Sequence, residues 1–156
     1  MYERTYENSI ENILKNKRTV YVFDVDGTLT DFNYHLRTFN TQIETPNDYN
    51  YIRPLKTMQR FISKLNLDNV YICSRSIFDE ECKSKTKFLQ EHFNIKEENI
   101  YYVQNNKDKL EVFKSIQKIT GIEDELLLII EDHPGVLNDV LENTNYSELH
   151  VSYFIE

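Results

Sequence analysis

The chain has 156 residues and a formal net charge of −8, with 40% apolar and 28% charged residues, which predicts one ordinary globular domain over residues 1–156. This acidic balance disfavours non-specific binding to nucleic acid or to anionic membrane surfaces. Cys73 and Cys82 give neither a metal-ligand spacing nor a disulfide framework, so a cytoplasmic location is expected. Because the apolar runs are too short for a membrane span, we expect no membrane partner.

The first predicted elements are a helix and a strand. Apolar residues recur at helical spacing within residues 1–18, and an apolar run fills residues 19–24, which predicts a leading helix followed by a buried strand. Asp24 and Asp26 come next. Because an unpaired buried charge is costly, the strand should stop at Asp24 and leave both carboxylates in a turn.

Residues 30–53 are irregular and rich in aromatic residues, which predicts a flap. Its aromatic residues either pack against one another or form a wall for substrate, with Phe32 and Tyr34 as candidate contacts. A helix is expected to begin at Arg53-Pro54, because proline suits a first helical position.

The rest of the chain alternates in the same way. Strands are predicted over residues 69–73, 100–103, 125–130 and 149–154, and helices over residues 79–93, 107–120 and 136–143. Gly121 is expected to stop the second of these helices. The alternation predicts an α/β fold with three αβα layers and a Rossmann-like, mostly parallel sheet, in which residues 149–154 form an edge strand.

Polar residues end three of the predicted strands, at Asp24, at Ser74-Arg75-Ser76 and at Glu131-Asp132. The carboxyl ends of parallel strands meet at one edge of a sheet, where open α/β sheets bind their ligands. These residues are therefore expected to converge on one site.

The sequence around Asp24, at the first of these strand ends, resembles the signature motif of a known family. Asp24-Val25-Asp26-Gly27-Thr28-Leu29-Thr30 resembles the DxDGTLT signature of the haloacid dehalogenase-like (HAD) phosphohydrolases, and the resemblance extends over residues 19–140. It implies a HAD-like fold that is nearly capless, because residues 30–53 leave room for a short flap but not for a cap domain.

The resemblance implies a role for each residue at the sheet edge. Asp24 would be the nucleophile that forms an aspartyl-phosphate, and Asp26 would be the general acid and base. The Ser74 hydroxyl, the backbone N–H of Val25 and the Arg75 side chain would hold phosphoryl oxygens.

The resemblance further implies that a basic residue opens the helix that precedes the last buried strand. Lys107 and Lys109 both qualify. We favour Lys109, because the helix that it opens closes at Gly121 and leads to Asp132, as in the family.

The resemblance also implies a Mg²⁺ site formed by Asp24, the backbone carbonyl of Asp26, Asp132 and Glu131, since hard carboxylate oxygens suit this ion. Other sources of the second acidic group are open, at Asn138 or Asp139. His133 is a further open case, because it could contact substrate or form a hydrogen bond within its loop.

Together these features predict a Mg²⁺-dependent phosphatase that acts on a nucleotide or another small phosphorylated metabolite. Asp31-Phe32-Asn33, after the motif, is similar to the (deoxy)nucleotidases, and the compact layout with two adjacent acidic residues is similar to the polynucleotide 3′-phosphatases. A polynucleotide end is therefore an alternative substrate, and a non-catalytic HAD-like binding module is an alternative of another class. The oligomeric state is left open.

Overall fold

The computed structural model describes residues 2–30 and 48–155, and only the backbone of residues 2–8. The strands of this part of the chain are β1 (Val20–Phe23), β2 (Val70–Arg75), β3 (Ile100–Val103), β4 (Leu127–Glu131) and β5 (Ser147–His150). Its α-helices are α1 (Tyr2–Lys15), α2 (Lys56–Ser63), α3 (Asp79–Phe93), α4 (Lys109–Thr120) and α5 (Pro134–Asn143).

The strands form one parallel sheet in the order β3-β2-β1-β4-β5. The chain runs from β1 outward to β3, and then crosses to the other side of β1 to form β4 and β5. This reversal lies between the neighbouring strands β1 and β4. Such a switch point leaves a crevice at the carboxyl ends of the strands.

Helices cover both faces of the sheet. Tyr21 and Phe23 of β1 point to the face packed by α1, α2 and α3, where Phe88 is a large core residue. Val20 and Val22 point to the opposite face, packed by α4 and α5. Strand β4 is buried along its whole length, as expected for a strand between two helical layers. The predicted three-layer αβα fold with a parallel sheet is confirmed.

Two predicted boundaries near the site are wrong. Pro54 does not open a helix. It forms an isolated antiparallel bridge with Thr30, and α2 begins at Lys56. Ser74 does not end its strand, because β2 continues through Arg75 and pairs with β3 there. Ladder hydrogen bonds with the neighbouring strand therefore outweigh the low strand propensity of these polar residues.

Other boundaries shift by a few residues. A single 3₁₀ turn over Asn106–Asp108 precedes α4, which begins at Lys109. Gly121 ends this helix with a positive φ of 65°, as predicted. The last strand is a sheet edge, as predicted, but it spans Ser147–His150 and then gives way to a 3₁₀ turn.

No helix in the described ranges is long and apolar enough to cross a membrane. The predicted flap falls largely on residues 31–47, including Phe32 and Tyr34, which lie outside the described residues.

Candidate functional site

The site lies at the switch point of the sheet. Asp24 follows the last residue of β1, and its backbone N–H donates to the carbonyl of Ile130 in β4 at 3.1 Å. Glu131 is the last residue of β4 and Ser74 lies near the end of β2. Since β2 and β4 flank β1, the three predicted strand ends meet at one edge of the sheet.

Lys109 joins two of these strand ends. Its Nζ donates to Oδ1 of Asp24 at 3.0 Å and to Oε2 of Glu131 at 2.9 Å. The lysine is 2% exposed, although it is 85 residues away from Asp24 in the chain. Lys107 is exposed in the turn before α4. The structure therefore brings Lys109, and not Lys107, to the carboxylates.

Asp24, Glu131 and Asp132 form a compact acidic cluster. Ligand oxygens of the three side chains lie within 4.8 Å of one another. Asp139 is not a member of this cluster, and Asn138 is exposed on α5. Three carboxylates at this spacing could hold a metal ion, and oxygen ligands of this kind suit hard divalent cations in general.

The loop after β1 is shaped around Asp132. Gly27 has a φ of +75°, and a Cβ at this position would lie 2.3 Å from Oδ2 of Asp132. A side chain here would push the carboxylate out of its place. Glycine is therefore the residue that allows both the turn and the close approach.

One lysine does not balance the charge of this cluster. Burial is the largest influence on the pKa of Asp24 and would raise it, but the Lys109 ammonium, the hydrogen bonds from Glu131 and Lys109, and the charge of Lys85 together lower this pKa. Burial raises the pKa of Glu131 to about 10, with the Asp24 charge adding to the effect and Lys109 opposing it. Burial and the charge of Asp24 also raise the pKa of Asp132. Ionisation of all three carboxyl groups therefore needs more positive charge than Lys109 provides, and a bound cation would provide it.

Asp26 is held apart from the acidic cluster by other partners. The Tyr49 hydroxyl donates to its Oδ1 at 2.6 Å, and Lys85 Nζ donates to its Oδ2 at 3.1 Å. Burial raises the pKa of Asp26, while the Lys85 charge opposes this shift. Both carboxylate oxygens thus have a hydrogen-bond donor within the protein.

Sequence reasoning missed Lys85. This lysine is fully buried and also donates to the Ser74 hydroxyl oxygen and to the Arg75 carbonyl, both at 2.9 Å. A signal was available, because Lys85 follows Cys82 by three residues and precedes Leu89 by four, on the inward stripe of α3. A lysine on such a stripe needs a buried carboxylate partner.

The other predicted residues are placed as follows. The Ser74 hydroxyl is buried and accepts from Lys85, which leaves its own proton available to a further acceptor. The exposed Arg75 side chain donates from Nε to the carbonyl of Gln104 at 3.0 Å. Val25 is buried in the turn after β1.

His133 caps a helix. Its Nδ1 accepts from the backbone N–H of Val136 at 3.4 Å, at the N-terminus of α5. The ring is therefore engaged within its own loop, which agrees with the loop alternative for this residue.

Neither a protein-family model nor a curated protein matches this sequence. The resemblance to the HAD phosphohydrolases accordingly rests on the motif residues of the sequence alone.

Proposed function

We propose that this protein is a Mg²⁺-dependent phosphatase of the HAD type, which hydrolyses phosphate monoesters through an aspartyl-phosphate on Asp24. One observation supports this proposal most directly. A single buried lysine, Lys109, joins Asp24 to Glu131 beside Asp132, at the switch point of a parallel sheet. Residues distant in the chain thereby provide a nucleophile, its counter-charge and cation ligands in one place.

The cation site would use Asp24 and Asp132, with Glu131 in the same cluster and the backbone carbonyl of Asp26 as a further ligand. Glu131 already accepts from Lys109, so it also serves to hold that lysine. Bound Mg²⁺ would neutralise negative charge shared by the phosphate and Asp24, which otherwise repel each other.

The chain's own residues would carry the two steps. Asp24 attacks phosphorus, so that a bond from its carboxylate oxygen to phosphorus forms as the bond to the leaving oxygen breaks. Asp26 gives that leaving oxygen its proton and later removes a proton from the water that cleaves the aspartyl-phosphate. Lys109 and the Ser74 hydroxyl stabilise the negative charge around phosphorus.

The assay that tests this proposal is Mg²⁺-dependent hydrolysis of 4-nitrophenyl phosphate. Wild type is expected to be active and to lose activity with a chelator, while Asp24→Asn should be inactive because an amide is a poor nucleophile. Asp108→Asn makes the same change at an exposed carboxylate and should retain activity. If wild type and Asp24→Asn are equally inactive over a broad panel of phosphomonoesters, the chain is better described as a binding module.

The substrate that we propose is a nucleotide or another small phosphorylated metabolite. The net charge of −8 supports this choice, because it opposes attraction of a polyanion. Nucleoside monophosphates and a 3′-phosphorylated oligonucleotide in the same panel distinguish small substrates from polynucleotide ends.

Gly27→Ala tests the fit of the loop around Asp132. Alanine at a positive φ costs about 1–2 kcal/mol, and the Asp132 side chain can swing away from the new Cβ. Without Mg²⁺ the variant should therefore lose about this much stability. Its stabilisation by Mg²⁺ should be lost as well, because Asp132 is displaced.

Gly121→Ala is the matched control for this prediction. Gly121 also has a positive φ, of 65°, but a Cβ there would meet nothing within 4 Å. Urea unfolding with and without MgCl₂ should show a similar stability loss in both variants, and a lost Mg²⁺ effect in Gly27→Ala alone. An intact Mg²⁺ effect in Gly27→Ala would contradict the placement of Asp132 as a cation ligand.

A further inference from the structure

Lys85 is a fully buried cation that the proposed reaction steps leave without a role. Removing an ammonium from water is costly unless its protons are all engaged. The three acceptors of Nζ are Oδ2 of Asp26 at 3.1 Å, the Ser74 hydroxyl at 2.9 Å and the Arg75 carbonyl at 2.9 Å. Since an ammonium has three donors, this geometry fixes the position of Nζ completely.

Tyr49 holds the other side of the same carboxylate. Its hydroxyl donates to Oδ1 of Asp26 at 2.6 Å, and the residue is 2% exposed. Its backbone N–H donates to the Ser84 hydroxyl on α3 at 2.8 Å, while its ring lies 5.1 Å from Lys85 Nζ. Tyr49 and Lys85 are thus parts of one packed unit against α3.

Two donors on opposite oxygens prevent the Asp26 carboxylate from rotating. The shared ammonium also ties Asp26 to the Ser74 hydroxyl, which belongs to the neighbouring strand. The relative placement of a proton-transfer group and a phosphate-binding group is thereby set by a lysine of a third element. Misplacement by about 1 Å in such a group is enough to cost a large factor in rate.

We propose that Lys85 and Tyr49 are positioning residues, which hold the Asp26 carboxylate where it can protonate the leaving oxygen and activate water. This inference rests on the proposed function, because it assigns these residues to the reaction of that same site. Neither residue touches the phosphorus or the leaving group. Each acts through Asp26.

Substrates with different leaving groups distinguish a positioning role from a merely structural one, because a structural defect should lower the rates for both substrates equally. A 4-nitrophenolate departs as a stable anion, whereas an alkoxide from an alkyl phosphate needs a proton from Asp26. Hydrolysis of the aspartyl-phosphate is common to both substrates and needs Asp26 in both, so the quantity to compare is kcat/KM, which covers the steps up to departure of the leaving group. Loss of correct positioning should therefore lower kcat/KM much more for an alkyl phosphate. General acid catalysis contributes about 10²–10⁴-fold, which sets the scale of the difference.

The experiment compares kcat and KM for both substrates in wild type, Asp26→Asn, Lys85→Met and Tyr49→Phe. Tyr49→Phe removes one hydroxyl and keeps the ring, so it tests the proposal even where Lys85→Met fails to fold. Matched controls are Tyr21→Phe, which loses a tyrosine hydrogen bond to Leu14 on α1, and Lys87→Met, on the exposed face of α3.

Lys85→Met and Tyr49→Phe are expected to lower kcat/KM for the alkyl phosphate at least 10-fold more than for 4-nitrophenyl phosphate. Combining either change with Asp26→Asn should cause no further loss. Equal losses of kcat/KM for both substrates, or no loss for either, would overturn the positioning role.

A double-mutant cycle by urea unfolding separates this inference from the proposed function. Lys85→Met and Asp26→Asn should be non-additive in the substrate-free protein, because each removes the partner of the other. If wild type hydrolyses neither substrate but the cycle shows coupling, the proposed function fails and the contact stands. If wild type is active and the cycle shows additivity, the inference fails and the proposed function stands.

Discussion

Replacement of Lys109 by methionine is expected to lower the free energy of unfolding by about 3–5 kcal/mol and to abolish the proposed hydrolysis. The ammonium is 2% exposed, and its partners Asp24 and Glu131 are 8% and 1% exposed. Methionine has a similar length but leaves both carboxylates without their cation. Urea unfolding and the 4-nitrophenyl phosphate assay measure the two effects.

The control for this change is Lys107→Met, which alters an exposed lysine just before the same helix. It should change stability by less than about 0.5 kcal/mol and leave activity intact. The double variant Lys109→Met/Glu131→Gln should regain part of the stability, because glutamine is neutral without the proton that Glu131, with its raised pKa, must take up on burial, but it should regain no activity. An active Lys109→Met variant would show that this lysine is only structural.

Magnesium is expected to stabilise the folded protein. The carboxylate cluster exists only in the folded state, so a cation that binds it shifts the unfolding equilibrium by mass action. At a concentration 100-fold above Kd the gain is about 2.7 kcal/mol. Asp132→Asn should remove most of this gain, because an amide is a weaker ligand and Asp132 is a member of the cluster.

Urea unfolding at increasing MgCl₂ measures this linkage, and a chelator should reverse it. Asp139→Asn provides the control, because that carboxylate lies on α5 outside the cluster. Stabilisation by Mg²⁺ that is equal in wild type and Asp132→Asn would show that the ion binds elsewhere.

Sequence patterns predicted the sheet and the convergence of Asp24, Ser74 and Glu131 well, because both follow from general rules. Buried parallel strands appear as apolar runs, and their carboxyl ends share an edge. Lys109 was chosen because the resemblance implies a lysine that opens a helix, a glycine that closes it and a strand that leads to the acidic pair. The structure places Lys109 within hydrogen-bond distance of Asp24 and Glu131.

The buried partners of Lys85 and Tyr49 could not be predicted in the same way. Apolar periodicity places Lys85 on the inward face of α3, but it does not identify the groups that the lysine contacts there. Those groups, Asp26 and Ser74, are distant in the chain and reach Lys85 only through tertiary packing. Similarly, the polar residues at the end of β2 suggested a loop, whereas pairing with β3 keeps them in the sheet.

Accumulation of a phosphoryl adduct on Asp24 is the most direct test of the proposed reaction. The Asp26→Asn variant should still form the aspartyl-phosphate from 4-nitrophenyl phosphate, whose leaving group needs no proton. It should hydrolyse this adduct slowly, because it lacks the base that activates water. Rapid mixing with Mg²⁺, acid quench and peptide mass analysis should show about one phosphoryl group per chain on the peptide that contains Asp24. Turnover by wild type with no burst and no adduct in Asp26→Asn would contradict nucleophilic catalysis by Asp24.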